Sequence, residues 1–305
     1  MTILVAGSSG LIGTALVGSL RADGIEVRRL VRSSSVDGGV VWDPVAGHLP
    51  AEAFDGVTVV VNLGGRSIGE RRWSAAEKQR LFDSRIAPTR LLAETIARLP
   101  EPPALLTGSA IGIYGDRGDQ IVDESATPGS GFLASLVVAW EAAAAPAAAA
   151  GGRVVMLRSG IVLATAGGAL GRLLAPLGPR WFSPYRWGVA GVVGRGRQYW
   201  SWISLDDEVR AIRHLLGSSI AGPVNLVAPE AVTHRAFIKA LGRALHRPTV
   251  VPIPEFVLRL LLGGELAAAL VLDGQRVAPS RLVGDGFTWK DTDLEQALVS
   301  ALARR

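Results

Sequence analysis

Residues Thr2 to Arg32 constrain the fold more than any other stretch. Thr2-Ile3-Leu4-Val5-Ala6 is a short apolar run of the kind that forms a buried parallel strand. It breaks into Gly7-Ser8-Ser9-Gly10-Leu11-Ile12-Gly13, and an amphipathic stretch follows to about Asp23. Val27 to Val31 reads as a second strand, stopping at Arg32. Together they make one βαβ unit, with the glycine turn at the carboxyl end of the first strand. Gly7, Gly10 and Gly13 let the backbone turn sharply and approach a pyrophosphate, which rests on the free N–H groups at the helix start, around Ser9, Leu11 and Ile12. The unit reads as a dinucleotide site.

The same alternation continues. Val57 to Asn62 is a β-branched run, hence a third parallel strand, and it ends in a second glycine turn, Leu63-Gly64-Gly65. Ser74 to Leu99 has a helical pattern, with Ser74 as N-cap, Glu77 completing a capping box, and a break expected at Pro88. Ala104 to Thr107 is the fourth strand, opening into Gly108-Ser109, and Val154 to Leu157 the fifth, with a helix over Gly131–Ala150 that Pro146 ends early. Asp37 to Pro50 reads as a loop. After about residue 165 the rhythm changes: Tyr199–Ile203 and Val224–Val227 read as strands. Helices are expected over 206–216, capped by its acids, over 233–245, in one or two pieces of 252–272, and over 293–302. The expected fold class is α/β, a Rossmann-type doubly wound parallel sheet with a smaller mixed C-terminal lobe. Its division is 1–165 for the dinucleotide and 166–305 for the substrate side, with 199–228 returning to the sheet.

Composition removes several alternatives. With 305 residues and 49% apolar side chains, the chain can bury a sizeable core. Its net charge of +5 is carried by arginine, and no basic run with interleaved aromatics marks a nucleic-acid groove. Without cysteine there is no disulfide or thiolate chemistry, and His48, His214, His234 and His246 show no partner pattern, so no metal is expected. Phe256 to Leu272 is apolar, but Arg259 and Glu265 interrupt it too much for a bilayer span. A cytoplasmic protein with a small-molecule partner, no nucleic acid and no membrane is expected, its oligomeric state open.

An NAD site puts an acidic residue at the end of the second strand to bind the ribose 2′-hydroxyl. Here that position is Arg32, flanked by Val31 and Ser33. A guanidinium pairs bidentately with a 2′-phosphate, which favours NADP. The alternative is a solvent-facing arginine in an arginine-rich chain.

The motifs resemble those of the extended short-chain dehydrogenase/reductase superfamily. Gly7 to Gly13 matches its GxxGxxG signature, Asn62-Leu63-Gly64-Gly65 its second glycine turn, Ile113-Tyr114-Gly115-Asp116 its strand-end YGD, and Trp202 to Asp207 its later strand–helix junction. More narrowly the chain resembles an atypical branch, the epimerase family or nucleoside-diphosphate-sugar epimerases. The carriers are Arg72-Trp73, Ser84-Arg85-Ile86, Trp140-Glu141, Leu157 to Leu163, Gly194 to Gln198, Gly274 to Pro279 and Gly286-Phe287. The resemblance implies NADP, a cation at Arg32, Arg85 against the cofactor, and Val162 against the nicotinamide. The branch usually has a histidine where Ser204 stands, and Pro179 to Trp187 is expanded.

The superfamily's acid–base pair is missing. Its tyrosine and lysine are spaced YxxxK, but Tyr114 is followed at that spacing by Gly118, Tyr185 by Val189 and Tyr199 by Ile203. Aligning on Glu141 puts Leu133 and Val137 in the Tyr and Lys places, and aligning on Tyr114 puts Ala110 in the Ser/Thr place. Ser109 and Tyr114 remain as catalytic candidates, with strand-end capping and turn packing as their structural alternatives. On the substrate side, Arg195, Arg197 and Gln198, with Arg180 and Arg186, stand near Trp181, Trp187, Trp200 and Trp202. Arginine with flat aromatic faces suits an anionic, ring-bearing ligand such as a nucleotide sugar; the alternative is tryptophans sealing two lobes. Two functions follow: an NADP(H)-dependent epimerase-like oxidoreductase, or a non-catalytic NADP(H)-binding sensor or regulatory protein.

Overall fold

The computed structural model describes residues 1–33, 38–174 and 184–303. Its first half contains β1 (Thr2–Ala6), α1 (Leu11–Ala22), β2 (Glu26–Val31), β3 (Gly39–Val41), β4 (Val57–Asn62), α2 (Ala75–Ile96), β5 (Ala104–Ala110), β6 (Ile121–Val122), α3 (Phe132–Ala142), α4 (Ala145–Ala149) and β7 (Val154–Ser159). Then follow β8 (Ile161–Leu163), α5 (Gly168–Leu174), β9 (Tyr199–Trp200), β10 (Trp202–Ser204), α6 (Leu205–Gly217), β11 (Gly222–Leu226), β12 (Val232–Thr233) and α7 (His234–Leu245). The chain closes with α8 (Glu255–Leu262), α9 (Gly264–Ala267), β13 (Arg276–Val277), α10 (Ser280–Gly284) and α11 (Leu294–Ala303).

Seven strands form one parallel sheet in the order β11-β7-β5-β4-β1-β2-β3. The strand order reverses between β1 and β4, and a doubly wound sheet places its ligand at that switch point. Helices cover both faces. Ile3, Val5, Val59, Val61, Leu106 and Val155 face α1 and α6, while Leu4, Ala6, Val60 and Leu105 face α2 and α4. Runs of β-branched residues suit strands buried on both sides. The fold is the Rossmann-type α/β fold, with three two-stranded sheets beyond or beside it among the described residues.

Several local outcomes differ from the sequence reading. Gly39–Val41 lies in the expected loop yet adds a three-residue edge strand to β2. The α2 helix continues through Pro88. Ser74 caps it, accepting from the Glu77 N–H at 3.2 Å, but the Glu77 carboxylate turns to Arg66 and Arg80 instead of closing a capping box. The Tyr199–Ile203 stretch is two strands: β9 pairs with β12 and β10 with β8, so of 199–228 only Gly222–Leu226 enters the large sheet. Ser204, the departure from the family pattern, is the N-cap of α6, accepting from the Asp207 N–H at 3.1 Å; a hydroxyl, not the helix's acids, makes the cap.

Phe132–Ala149 is long and apolar enough to cross a membrane by length and composition. Its Leu136, Val137, Trp140, Ala144 and Ala147 are buried within the fold, as expected of a core helix pair.

Two glycines fix the entry to α1. A Cβ on Gly13 would stand 2.1 Å from the Gly7 carbonyl oxygen, backbone that cannot yield. Gly13→Ala is therefore expected to destabilise the protein by about 1–3 kcal/mol through overpacking, read from the denaturant midpoint.

Candidate functional site

The two glycine turns stand back to back at the switch point. Gly7 has φ +77, and a Cβ there would lie 2.5 Å from the Leu63 carbonyl carbon and 2.6 Å from the Gly64 nitrogen. The Leu63 N–H donates to the Ala6 carbonyl at 2.9 Å, carrying the β1–β4 register into the turns. Gly10 differs. Its Cβ would meet only the Gly7 oxygen, at 3.3 Å, so contact within the protein explains little of the need for glycine there. Gly10 is the N-cap of α1 and provides no side-chain cap, so the first-turn N–H groups at Leu11 and Ile12 face outward beside exposed Ser9. These are the features an anionic group needs.

Behind the second turn lies a polar chain. The Asn62 Oδ1 accepts from the Gly64 N–H at 3.2 Å, and its Nδ2 donates to Thr89 Oγ1 at 2.9 Å. Thr89 Oγ1 also accepts from Trp140 Nε1 at 3.0 Å. The Trp140 ring covers Gly108, where a Cβ would come within 2.8 Å. The Arg85 guanidinium lies over this indole, 5.1 Å from the ring centroid.

Arg85 is 8% exposed. It donates to the carbonyls of Leu81 and Arg66 and to Ser84 Oγ, and makes no ion pair with a carboxylate among the described residues. Burial pushes its guanidinium down to about 10. Gly65 stands at its tip, since a Cβ there would be 3.4 Å from the guanidinium carbon. A buried cation without a counter-charge is costly unless an anion joins it.

Val31 is buried, and Arg32 is exposed just past β2, on the same edge as the glycine turns. Val162 pairs with Ile203 in the β8–β10 sheet. The turn after it approaches α1, because a Cβ on Gly168 would contact both the Val162 oxygen and Leu11.

The ends of β5 and β7 carry a second network. Ser109 Oγ donates to Glu141 Oε1 at 2.5 Å, and Arg158 grips both Glu141 oxygens at 2.8 and 2.9 Å. Arg158 Nη1 donates to the Tyr114 hydroxyl at 2.9 Å, which donates to Asn225 Oδ1 at 2.7 Å. Burial works against the Arg158 charge, but the Glu141 carboxylate overrides it and raises the pKa. Burial likewise pushes the Tyr114 phenol up, against the pull of Arg158. Tyr114 has no exposed surface and both hydroxyl roles are filled, so its surroundings support packing over acid catalysis. Val137, in the lysine's place, is buried, and Leu133, in the tyrosine's, packs on Gly112.

On the substrate side, Arg195 and Arg197 are exposed, while Gln198 Nε2 donates to the Val271 carbonyl at 3.0 Å. Trp202 and Trp200 are 1% and 5% exposed and pack inside the smaller lobe, Trp200 edge-on to His234 and Phe237. Their faces are not open to a ligand, which corrects the stacking reading for this pair. Arg180 and Trp181 lie outside the described residues. His214 does have a partner: its Nε2 lies 2.7 Å from Asp285, too distant in sequence to form a motif. Among the described residues, no group of His, Cys, Asp and Glu could hold a metal.

The NAD dependent epimerase/dehydratase family model matches residues 3–227. The chain belongs to that family. A second model, a domain of unknown function (DUF1731), matches residues 253–301 of the epimerase-family chain. It is 43% identical over 304 residues to the epimerase family protein Mb2239 of Mycobacterium bovis, covering 99% of this chain and 98% of that protein. The crystal structure of human epimerase family protein SDR39U1 with NADPH is similar at TM-score 0.87 and 33% identity, covering 99% of this chain and 100% of that one. A nucleoside-diphosphate sugar epimerase from Corynebacterium glutamicum is similar at TM-score 0.78 and 32% identity, covering 99% of this chain and 58% of that chain.

Sequence reasoning missed the most deeply buried glutamate among the described residues. Glu208, on the first turn of α6, has no exposed surface and accepts from Ser159 Oγ at 2.5 Å, leaving Oε2 without a hydrogen bond. Burial pushes its carboxyl from 4.5 up to about 8. Below 4.5 the group is neutral whether folded or not; as pH rises from there through 8, only the unfolded chain gains by ionising. Stability is therefore expected to fall across that window and then level off. Glu208→Gln keeps the Ser159 contact and should flatten the slope in a pH series of thermal melts. A second variant, Arg158→Met, strands the Glu141 charge and is expected to cost about 3–5 kcal/mol, measured by denaturant unfolding.

Proposed function

We propose that this chain binds NADP(H) across the two glycine turns and acts as an epimerase-like oxidoreductase on a small, anionic, nucleotide-sugar-like molecule. Residues 1–165 hold the dinucleotide and 166–305 the substrate side. The observation that carries the reading is the switch-point geometry, an uncapped α1 start beside two interlocked glycine turns. NADPH in the human relative and the nucleoside-diphosphate sugar named for the Corynebacterium relative support the ligand classes.

Each residue has a physical task. Gly10 leaves room for the pyrophosphate, which the Leu11 and Ile12 N–H groups receive. Gly7 and Gly13 set that turn, and Leu63, Gly64 and Gly65 line the adenosine side. Arg32 pairs with the 2′-phosphate and Arg85 supplies the buried positive charge that the phosphates neutralise. Val162 shields the nicotinamide end from water. When bound, the cofactor supplies or accepts hydride. Ser109, with its proton committed to Glu141, offers its free lone pairs as an acceptor toward the cleft beside Gly108.

A second reading, an NADP(H)-binding sensor without turnover, is favoured by the aliphatic Leu133 and Val137 and by the closed hydroxyl of Tyr114. NADPH oxidation with a panel of carbonyl and nucleotide-sugar substrates decides between the two. Turnover on any of them supports the enzyme; tight binding with none supports the sensor.

Arg32→Ala is expected to weaken NADPH about tenfold or more, in line with the loss of a charge-assisted pair, while NADH changes little. Equal weakening of both in fluorescence titrations would remove the 2′-phosphate assignment.

A further inference from the structure

Among the described residues, seven of the fourteen exposed large hydrophobic side chains fall in two stretches, 187–189 and 250–261. They are Trp187, Val189, Val250, Val251, Phe256, Leu260 and Leu261. The stretches adjoin. A Cβ on Gly188 would stand 2.9 Å from Pro248, and one on Gly191 2.6 Å from the Val251 oxygen. Arg247 Nε donates to the Arg186 carbonyl at 2.8 Å, and Val193 bridges to Ile253.

Three of the seven lie on α8. That helix buries none of its eight residues, and Phe256 and Leu260, one turn apart, are 70% and 72% exposed. Arg72 anchors the helix by its backbone, donating to the carbonyls of Leu260 and Leu261, so the apolar edge is left outward. Patches of this kind mark interaction surfaces.

Cations rim the patch. Arg259 lies on α8 itself, and Lys239, Arg243 and Arg247, with Glu295, line a concavity that runs to Pro248 and Thr249, next to Val250. Two of the nearby acids are engaged, Glu295 with Arg243 at 2.6 Å and Glu265 with Lys78 at 2.6 Å, while Glu255, in the first turn of α8, packs against Gly194. The whole chain carries +5.

We propose that this face docks on the surface of an anionic phospholipid bilayer. Protruding apolar side chains on a loop and a helix edge enter a deformable interface, where Trp187 and Phe256 sit at headgroup depth. The surrounding cations meet anionic headgroups, each adding about fivefold in affinity. A symmetric contact with a second copy would instead bring a second set of the same cations to one interface. Of the stretch from Phe256 to Leu272, too interrupted to span a membrane, the α8 end is the part open to such a surface, since Leu266 and Ala267 are buried. This surface is independent of the cofactor reading.

The test is flotation of the full chain with extruded vesicles of phosphatidylcholine alone or with about 30% phosphatidylglycerol, which supplies the anionic headgroups. The protein is expected to float with the anionic vesicles and much less with the neutral ones. Phe256→Glu with Leu260→Glu should abolish the difference with the thermal midpoint unchanged, and Arg259→Gln should weaken binding about fivefold. No flotation with anionic vesicles, equal flotation on both compositions, or an unaffected double variant would overturn the proposal. So would sedimentation showing a dimer that the double variant dissociates, which would assign the face to a second copy.

Discussion

The contact on which the site depends is backbone against backbone, Gly7 on Leu63–Gly64. A single added carbon at Gly7 would fall 2.5 Å from main-chain atoms, so the turns after β1 and β4 can interlock only because that carbon is missing. Gly13 closes on Gly7 in the same way from the α1 side. With three backbone segments held at van der Waals contact, the start of α1 points its N–H groups into the switch-point crevice. The polar chain from Asn62 through Thr89 to Trp140 then braces the second turn and presents the indole on which Arg85 rests.

Beside that crevice the ends of β5 and β7 are tied by Ser109, Glu141, Arg158, Tyr114 and Asn225. The carboxylate, guanidinium and phenol in this chain of contacts all have partners, which makes it a stiff wall more than a proton relay. A buried ion pair of this kind contributes little net stability over apolar packing but is expensive to break halfway. Its value lies in holding two strand ends at a set spacing.

Much of this was legible in the sequence because it is local. Gly7 to Gly13 after an apolar run specifies a turn and helix start through backbone freedom alone, and the β-branched runs specify parallel strands through burial. The family's motifs extended that reading to Arg85 and Val162. What was hidden is non-local or shape-dependent. Asn62 and Thr89 are 27 residues apart. Glu208 meets Ser159 from 49 residues away and His214 meets Asp285 from 71. The direction in which Trp200 and Trp202 face follows from two short strands, β9 and β10, that a single apolar run does not distinguish. Composition placed aromatics and arginines close in sequence; only the fold shows that Trp200 and Trp202 point inward and Trp187, Arg195 and Arg197 outward.

Hydrogen exchange on adding NADPH tests the central claim most directly. The expected result is added protection of the backbone amides from Gly7 to Thr14 and from Leu63 to Arg66, with the small-lobe helices α7 and α11 unchanged. Saturating NADPH that leaves both glycine turns unprotected would contradict it.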